Sequence, residues 1–331
     1  MAVTLGFDDL NGVLDMQDAI DLLEATCAHE AAGDTVISPR LTTAFAGGWM
    51  RILFAADRKS GYYASKAYNL TEGVGVRYVV TLYRLKDGEL LAVMDGRTIT
   101  DLRTGAASGV AARKVPISGP ISVGVIGSGH QARTQLESLS LVYNIESAVV
   151  YSPTAANREA FAREMSARLG FSVSSVDSAE AAVRGCAVVA AASSNRSAEP
   201  VVLGEWLGNC RLLCAVGNTR PQFAEIDLRC FQEAALVVMD SPLAMEEAGE
   251  LRKAVACDAL PESKRATLAQ VVSGSIAVPD EGMVIFKSVG TALQDLSLAE
   301  RYYELLGAGA GLPAAASLGS LKQLAKQQTT G

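Results

Sequence analysis

The stretch VGVIGSGHQARTQ, Val123–Gln135, constrains this chain more than any other part of it. An apolar run passes directly into Gly127-Ser128-Gly129-His130-Gln131-Ala132 and then into residues with helical propensity. In a strand–turn–helix, the first glycine of such a turn allows the tight reversal. The second lets a diphosphate approach the backbone, and a small third residue, here Ala132, lets the helix pack close to the strand. The free N–H groups and positive dipole end of the helix then face the phosphates. Alone, the pattern also suits a plain glycine-rich turn. Its meaning depends on what surrounds it.

A regular alternation surrounds it. ISVGVIG is read as a strand, then ARTQLESLSLVY as a helix, SAVVYS as a strand, AANREAFAREMSARLG as a helix, FSVSS as a strand and SAEAAVRG as a helix; AVVAAAS, CRLLCAVG and EAALVVMD are further strands. Strands alternating with helices predict a doubly wound parallel sheet. Their near-continuous apolar character predicts that both faces are covered. Before this region the rhythm differs. Met16–Ala32 has helical spacing, residues 41–62 read as loops, and YYASKAYNL, VRYVVTLYRL and ELLAVMDG read as strands, with Lys86-Asp87-Gly88 turning the last pair. TITDLRTGAASGVAARKV comes next as a helix with Thr100 as its N-cap, and Pro116, Gly119 and Pro120 then interrupt the chain. After VIFKSVG, the segment TALQDLSLAERYYELLGAGAGL reads as a long helix that returns to the first unit, ahead of a frayed KQQTTG tail.

The expected fold class is therefore α/β. A doubly wound parallel sheet of Rossmann type spans residues 119–290. A discontinuous α+β domain is expected from residues 1–118 and 291–331. A length of 331 residues suits two domains, and 49% hydrophobic residues suffice for their cores.

A net charge of −7 with no basic stripe argues against nucleic acid and anionic membrane surfaces as partners. The N-terminus lacks a signal-peptide pattern, and no uncharged apolar stretch is long enough to span a bilayer. Six dispersed cysteines and two histidines make no metal-binding pattern, so no metal is expected. Buried free thiols and a reducing, cytoplasmic location are the expected reading.

The strand after the glycine turn should end at the adenosine ribose, where NAD binders usually place an acid. Here it ends in VVYSPTAANRE, which puts Ser152 at that place with Thr154 and Arg158 close behind. A carboxylate would repel a 2′-phosphate, whereas Ser152 does not, and Thr154 or Arg158 can donate to it. NADP(H) is thus expected in preference to NAD(H), which stays possible. A solvated helix face is the competing reading of Arg158.

LLAVMDGRTITDLRTGAASGVAARKV, GVIGSGHQARTQ, EPVVLGEWL, AVGNTRPQFAEID and VIFKSVGTALQDL, taken together, resemble the ornithine cyclodeaminase/mu-crystallin family in order and spacing across most of the chain. The resemblance implies a homodimer, a Rossmann domain beside a discontinuous substrate and dimerisation domain, and hydride chemistry on an amino or imino acid. It assigns Arg40 and Arg103 to the substrate carboxylate, which planar guanidiniums grip through paired hydrogen bonds. It assigns Lys66 as the active-site lysine, able to bind the carboxylate or move a proton. Arg51 is a candidate third anion contact, with a surface residue as the competing reading. The expected cofactor-binding residues are Gly127, Ser128, Gly129, His130, Gln131, Ser152, Thr154, Arg158, Ser193, Val216, Asn218, Ser288 and Gly290. Trp49 and Trp206 read as packing or pocket wall.

One departure is informative. Cyclodeaminases and alanine dehydrogenases of this family carry an acid/base aspartate in the motif matching VGNTRPQF, and Asn218 looks to stand in its place. Asn cannot take up a proton as a carboxylate does. The expected activity is therefore NAD(P)H-dependent reduction of a small imino acid, such as the cyclic ketimine pyrroline-2-carboxylate, by hydride transfer to C=N. An amino acid dehydrogenase or ornithine cyclodeaminase is the alternative within the fold. A non-enzymatic, mu-crystallin-like protein binding NADPH and a small ligand is the alternative outside catalysis.

Overall fold

The computed structural model describes residues 2–307 and contains two sheets. The first is built from β1 (Val3–Leu5), β2 (Thr35–Ile37), β3 (Leu41–Phe45), β4 (Gly48–Asp57), β5 (Tyr62–Thr71), β6 (Gly75–Arg84) and β7 (Leu90–Asp95). Its order is β1-β7-β6-β5-β4-β2, with β3 also paired to β4. Only β1 and β7 pair in parallel, so the sheet is mixed. Residues 41–57, read from sequence as loop, are largely β3 and β4. The signal was weakened because β4 alternates only in part: Leu53 and Ala55 are buried as expected, but Arg51 and Asp57 share that inward face while Met50 and Phe54 face outward.

The inner face of this sheet is covered by helices Met16–Ala31, Gly96–Arg113 and Ala292–Tyr302, which share a single core with it. Helix Gly96–Arg113 is buried along almost its whole length. Its small residues are required there. A Cβ on Gly105 would lie 2.7 Å from the Thr134 carbonyl oxygen, and one on Gly109 would run into Ser138 and Ile20. This helix begins earlier than expected. Asp95 is its N-cap, accepting the Arg97 N–H at 2.9 Å, while Thr100 lies a turn inside and donates to the Gly96 carbonyl at 2.6 Å.

The second sheet contains β8 (Ile121–Ile126), β9 (Ile145–Tyr151), β10 (Ser172–Ser175), β11 (Val188–Ala191), β12 (Leu212–Ala215), β13 (Ala234–Met239), β14 (Arg265–Thr267) and β15 (Met283–Lys287). All pairs are parallel, in the order β10-β9-β8-β11-β12-β15-β13-β14. The direction of winding reverses between β8 and β11. A ligand crevice is expected beyond the carboxyl ends of strands at such a point. β14, only three residues long, has no sequence signature of its own.

After β15 the chain returns to the first sheet through helix Ala292–Tyr302, which packs on β4, β5 and helix Met16–Ala31. A π turn, Tyr303–Gly307, comes next, and the remainder of the expected helix and tail lies outside the described residues. Cys27, Cys186, Cys210, Cys214 and Cys230 are buried free thiols, whereas Cys257 is exposed, contrary to expectation. Among the described residues, no helix is long and apolar enough to cross a membrane.

Candidate active site

Beyond β8 and β9 lies a cleft of about 700 Å³ lined by Gly127, Ser128, Gly129, Ser152, Thr154 and Ser193, among others. Gly127 has φ +110°, and a Cβ there would sit 2.5 Å from the Ala192 carbonyl oxygen, so only glycine fits without strain. Gly129 is the N-cap of helix His130–Ser140 and has no side-chain cap, and a Cβ at this point would meet nothing within 4 Å. No side chain at the cap thus stands over the start of that helix, where a diphosphate would be favoured by the unpaired N–H groups and the dipole. Ser128 donates to the Ser152 hydroxyl at 2.8 Å, tying the turn to the end of β9. No carboxylate occurs among the described residues lining this cleft. These features fit a dinucleotide.

A second cavity, of about 210 Å³, lies where the loops after β12 and β15 meet the inner face of the first sheet. Its walls come from distant parts of the chain: Arg40, Lys66, Arg103, Thr219, Gly290 and Asp295 all line it. Lys66 points inward from β5 because it shares a face with Ala64 and Tyr68 and pairs across the sheet with Leu53 and Val80. Its Nζ lies 2.9 Å from Asp295 Oδ1 and sits over the rings of Tyr68 and Tyr78, at 5.6 and 5.3 Å from their centroids. Burial pulls the pKa of the Lys66 ammonium down to about 7, against the opposing pull of Asp295. Arg103 Nε approaches the same Asp295 oxygen at 3.3 Å, while Asp295 Oδ2 is buried without a hydrogen-bond partner among the described residues. Arg40 donates to the carbonyls of Val289 and Gly290, both at 2.8 Å, and lies 3.1 Å from Glu247. Gly290, at φ +79°, has Arg103 against the place where a Cβ would stand.

Buried carboxylates fix the loops around this cavity. Asp240 Oδ2 accepts from Ser288 Oγ at 2.6 Å and from the N–H groups of Val289 and Gly290 at 3.0 and 2.7 Å. The carbonyls that hold Arg40 are thus themselves held. Glu225, wholly buried, accepts from Ser193 N and Oγ and from Gly217 N, each at 2.7 Å, joining the loops after β11 and β12. Burial raises its carboxyl pKa, and the nearby Lys287 opposes that shift.

The structure brings Arg40, Lys66 and Arg103 to one cavity, with Gln131, Val216, Ser288 and Gly290 on its walls. Four expected contacts are placed differently. The His130 ring turns from both cavities and meets Arg97 at 3.2 Å, because successive side chains at a helix start point in different directions. Asn218 faces neither cavity. Its amide donates to the Phe223 carbonyl at 2.6 Å and to Glu250, and its oxygen accepts from the Arg220 N–H at 3.0 Å, so it shapes the loop. Its neighbours Gly217 and Thr219 line the cavity instead. Arg158 lies behind Tyr151, donating to the Ser152 carbonyl at 3.1 Å and pairing with Asp177. Arg51 is buried, not superficial, and lines a neighbouring cavity. Trp49 packs edge-on against Tyr68.

Sequence reasoning missed Tyr68, Tyr78, Thr219, Glu225 and Asp295. Tyr68 could have been found from the period of two after Lys66, and Tyr78 is its cross-strand partner. Asp295, a lone acid in an apolar helical stretch, was also a visible signal.

Three relatives share this arrangement of sequence or fold. Alanine dehydrogenase of Archaeoglobus fulgidus is 32% identical over 306 residues, covering 90% of this chain and 92% of that protein. The ketimine reductase mu-crystallin of Mus musculus is 30% identical over 230 residues, 70% of each chain. The structure of Thermococcus litoralis Delta(1)-pyrroline-2-carboxylate reductase in complex with NADH and L-proline superimposes with a TM-score of 0.86 at 30% identity, covering 92% of this chain and 97% of that one. The profile of the ornithine cyclodeaminase/mu-crystallin family matches residues 3–309, and the chain belongs to that family.

Proposed function

We propose that this oxidoreductase reduces the C=N bond of a small imino acid, a cyclic ketimine acid being the type, with NADP(H) as its preferred cofactor. The observation that carries the reading is the convergence of Arg40, Lys66 and Arg103 on one cavity beside the loops of the parallel sheet. When bound, the nicotinamide supplies the hydride. Arg40 and Arg103 grip the substrate carboxylate and so fix which carbon faces the cofactor, an effect worth several orders of magnitude in rate when the alignment is good. Lys66 holds a proton at Nζ close to neutrality and can pass it to the product amine. Tyr68 and Tyr78 form an aromatic wall that keeps water from this ammonium.

Asp295 and Lys66 already form a buried pair, and the Asn218–Thr219 loop contributes no carboxylate to the cavity. That disfavours cyclodeamination, which needs repeated proton movement on the amine. The preference for NADP(H) rests on the absence of a carboxylate in the described cleft wall and on hydroxyls at Ser152 and Thr154. Arg158 can leave its pair with Asp177, since that acid is 94% exposed and such pairs contribute little.

In this reading residues 2–118 and 291–307 form the substrate and dimerisation domain and residues 119–290 the dinucleotide domain. The outer face of the first sheet exposes Val36, Met50, Phe54 and Val79, an apolar surface suited to a second copy of the chain.

Oxidation of NADPH and NADH, followed by absorbance against cyclic imino acids and against 2-oxo acids with ammonia, tests the proposal. Turnover on an imino acid, faster with NADPH, is expected. Ammonia release from ornithine without net NADPH use would replace it with cyclodeamination. Tight NADPH binding with no turnover on the panel would replace it with a binding role.

A further inference from the structure

Arg40 and Thr219 line not one cavity but two. On their far side is a space of about 220 Å³ that also touches Arg51. Arg51 points inward from β4 and is only 8% exposed. Its guanidinium carbon lies 4.7 Å from the centroid of the Trp49 ring, and that of Arg220 lies 5.2 Å from the same centroid. Among the described residues neither guanidinium has an ion-pair partner. Arg51 Nε and Trp49 Nε1 are both buried donors without an acceptor among the described residues.

The two acids on this wall do not resolve the excess of donors. Glu247 feels the charge of Arg51, but its ion pair is with Arg40. Glu246 is exposed and solvated. Buried donors left unpaired beside like charge are costly, and an anion that supplies acceptors relieves both burdens. Burial, then the charges of Arg51 and Arg196, makes the cationic form of Arg220 harder to keep, which is the same imbalance seen from its other side.

We propose that Arg51, supported by Arg220 across Trp49, is a second anion subsite continuous with the active cavity, and that the substrate class is an imino acid bearing a second carboxylate. The α-carboxylate takes the Arg40–Lys66–Arg103 group, and the distal carboxylate passes Thr219 to reach Arg51. This inference rests on the imino acid reading above and adds to it the identity of the side chain.

The test uses the full-length protein saturated with NADPH. Calorimetric titration with succinate and glutarate is compared with butyrate and valerate, which have the same chain lengths and one carboxylate fewer. The dicarboxylates are expected to bind at least ten-fold more tightly. Arg51→Leu should bring that ratio to about one, and Arg220→Leu should reduce it. Because the readout is a ratio, general damage to the protein does not imitate it. In turnover, imines formed from 2-oxoglutarate and ammonia should exceed those from 2-oxobutyrate by a similar factor in kcat/KM. Equal binding of both ligand classes by the unaltered protein overturns the subsite, as does a ratio that survives Arg51→Leu. So does loss of self-association in Arg51→Leu with the ratio intact, since that assigns the arginine to an interface. A dicarboxylate preference in binding with no imine reduced upholds the subsite and refutes the reductase reading instead.

Discussion

The two cavities differ in what they are made of. The cleft beyond β8 and β9 is built largely from backbone and small side chains, with its key feature, Gly127–Gly129, within three consecutive residues. The cavity beside it is built from long charged side chains, Arg40, Lys66, Arg103 and Asp295, drawn from a loop, a strand and two helices. A backbone-built site is set by local conformation, so it tolerates change almost anywhere except at the glycines themselves. A side-chain-built site depends on each charge being opposed by another brought from far away. Its failure modes are electrostatic.

The largest expected effect falls on the charged cavity. Lys66→Ala should lower kcat/KM for imine reduction by roughly a thousand-fold, about 4 kcal/mol of transition-state stabilisation, while the NADPH dissociation constant stays within a few-fold. Steady-state kinetics and fluorescence titration separate the two. An equal loss of both would erase the distinction between the cavities.

The converse change is Gly129→Val. Its side chain enters open space, so the thermal midpoint should move little, yet it obstructs the diphosphate cradle and should weaken NADPH binding by about a hundred-fold. Gly127→Val, by contrast, meets the Ala192 carbonyl and takes φ +110°, and should unfold at a markedly lower temperature. A similar midpoint for the two variants would refute the assignment of separate roles to the glycines.

A smaller effect is expected at the ribose end. Ser152→Asp should shift the NADPH/NADH ratio of kcat/KM toward NADH by about ten-fold or more through repulsion of the 2′-phosphate. An unchanged ratio would misplace the ribose.

The pH dependence sharpens the contrast most finely. With the Lys66 pKa near 7, the protonated form that holds the substrate anion is lost as pH rises through that value, so reduction should slow on the alkaline side. A bound carboxylate moves that limb upward. Asp295→Asn removes a charge that favours the ammonium and should move the limb down by about one pH unit. For stability the sign is separate. Between about 7 and 10.5 the unfolded chain carries a proton on Lys66 that the folded chain lacks, so this residue's contribution to stability rises with pH there. Lys66→Met should flatten that rise in denaturant titrations.

Much of the fold was legible because its signals are local. The strands of the parallel sheet are short apolar runs punctuated by helices, and β8 through β13 fall where those runs do. The small-residue helix was legible too, although its start was misplaced by a turn because Thr100 and Asp95 are both competent caps. β3 and β4 were not legible. There the buried face carries Arg51 and Asp57 beside Leu53 and Ala55, and the exposed face carries Met50 and Phe54, so the hydrophobic pattern is blurred for a half-solvated sheet. The pattern becomes sensible when the outer face is taken as an interface. The site divides similarly. Lys66 and Arg103 were identified by their motifs, but Asp295, which touches both, lies about 190 residues from Arg103, and no local rule joins them.

The amino-acid order by itself determined the strand–turn–helix at Gly127, the alternation that makes the parallel sheet, and the family of the chain, since each depends on residues adjacent along the backbone. Only the tertiary structure decided that Asp295 balances Lys66 and Arg103, that Thr219 and not Asn218 reaches the cavity, and that Arg51 is buried without an ion-pair partner among the described residues. Those outcomes depend on which side chains are excluded from water together, and burial is a property of the folded assembly of segments, not of any one of them.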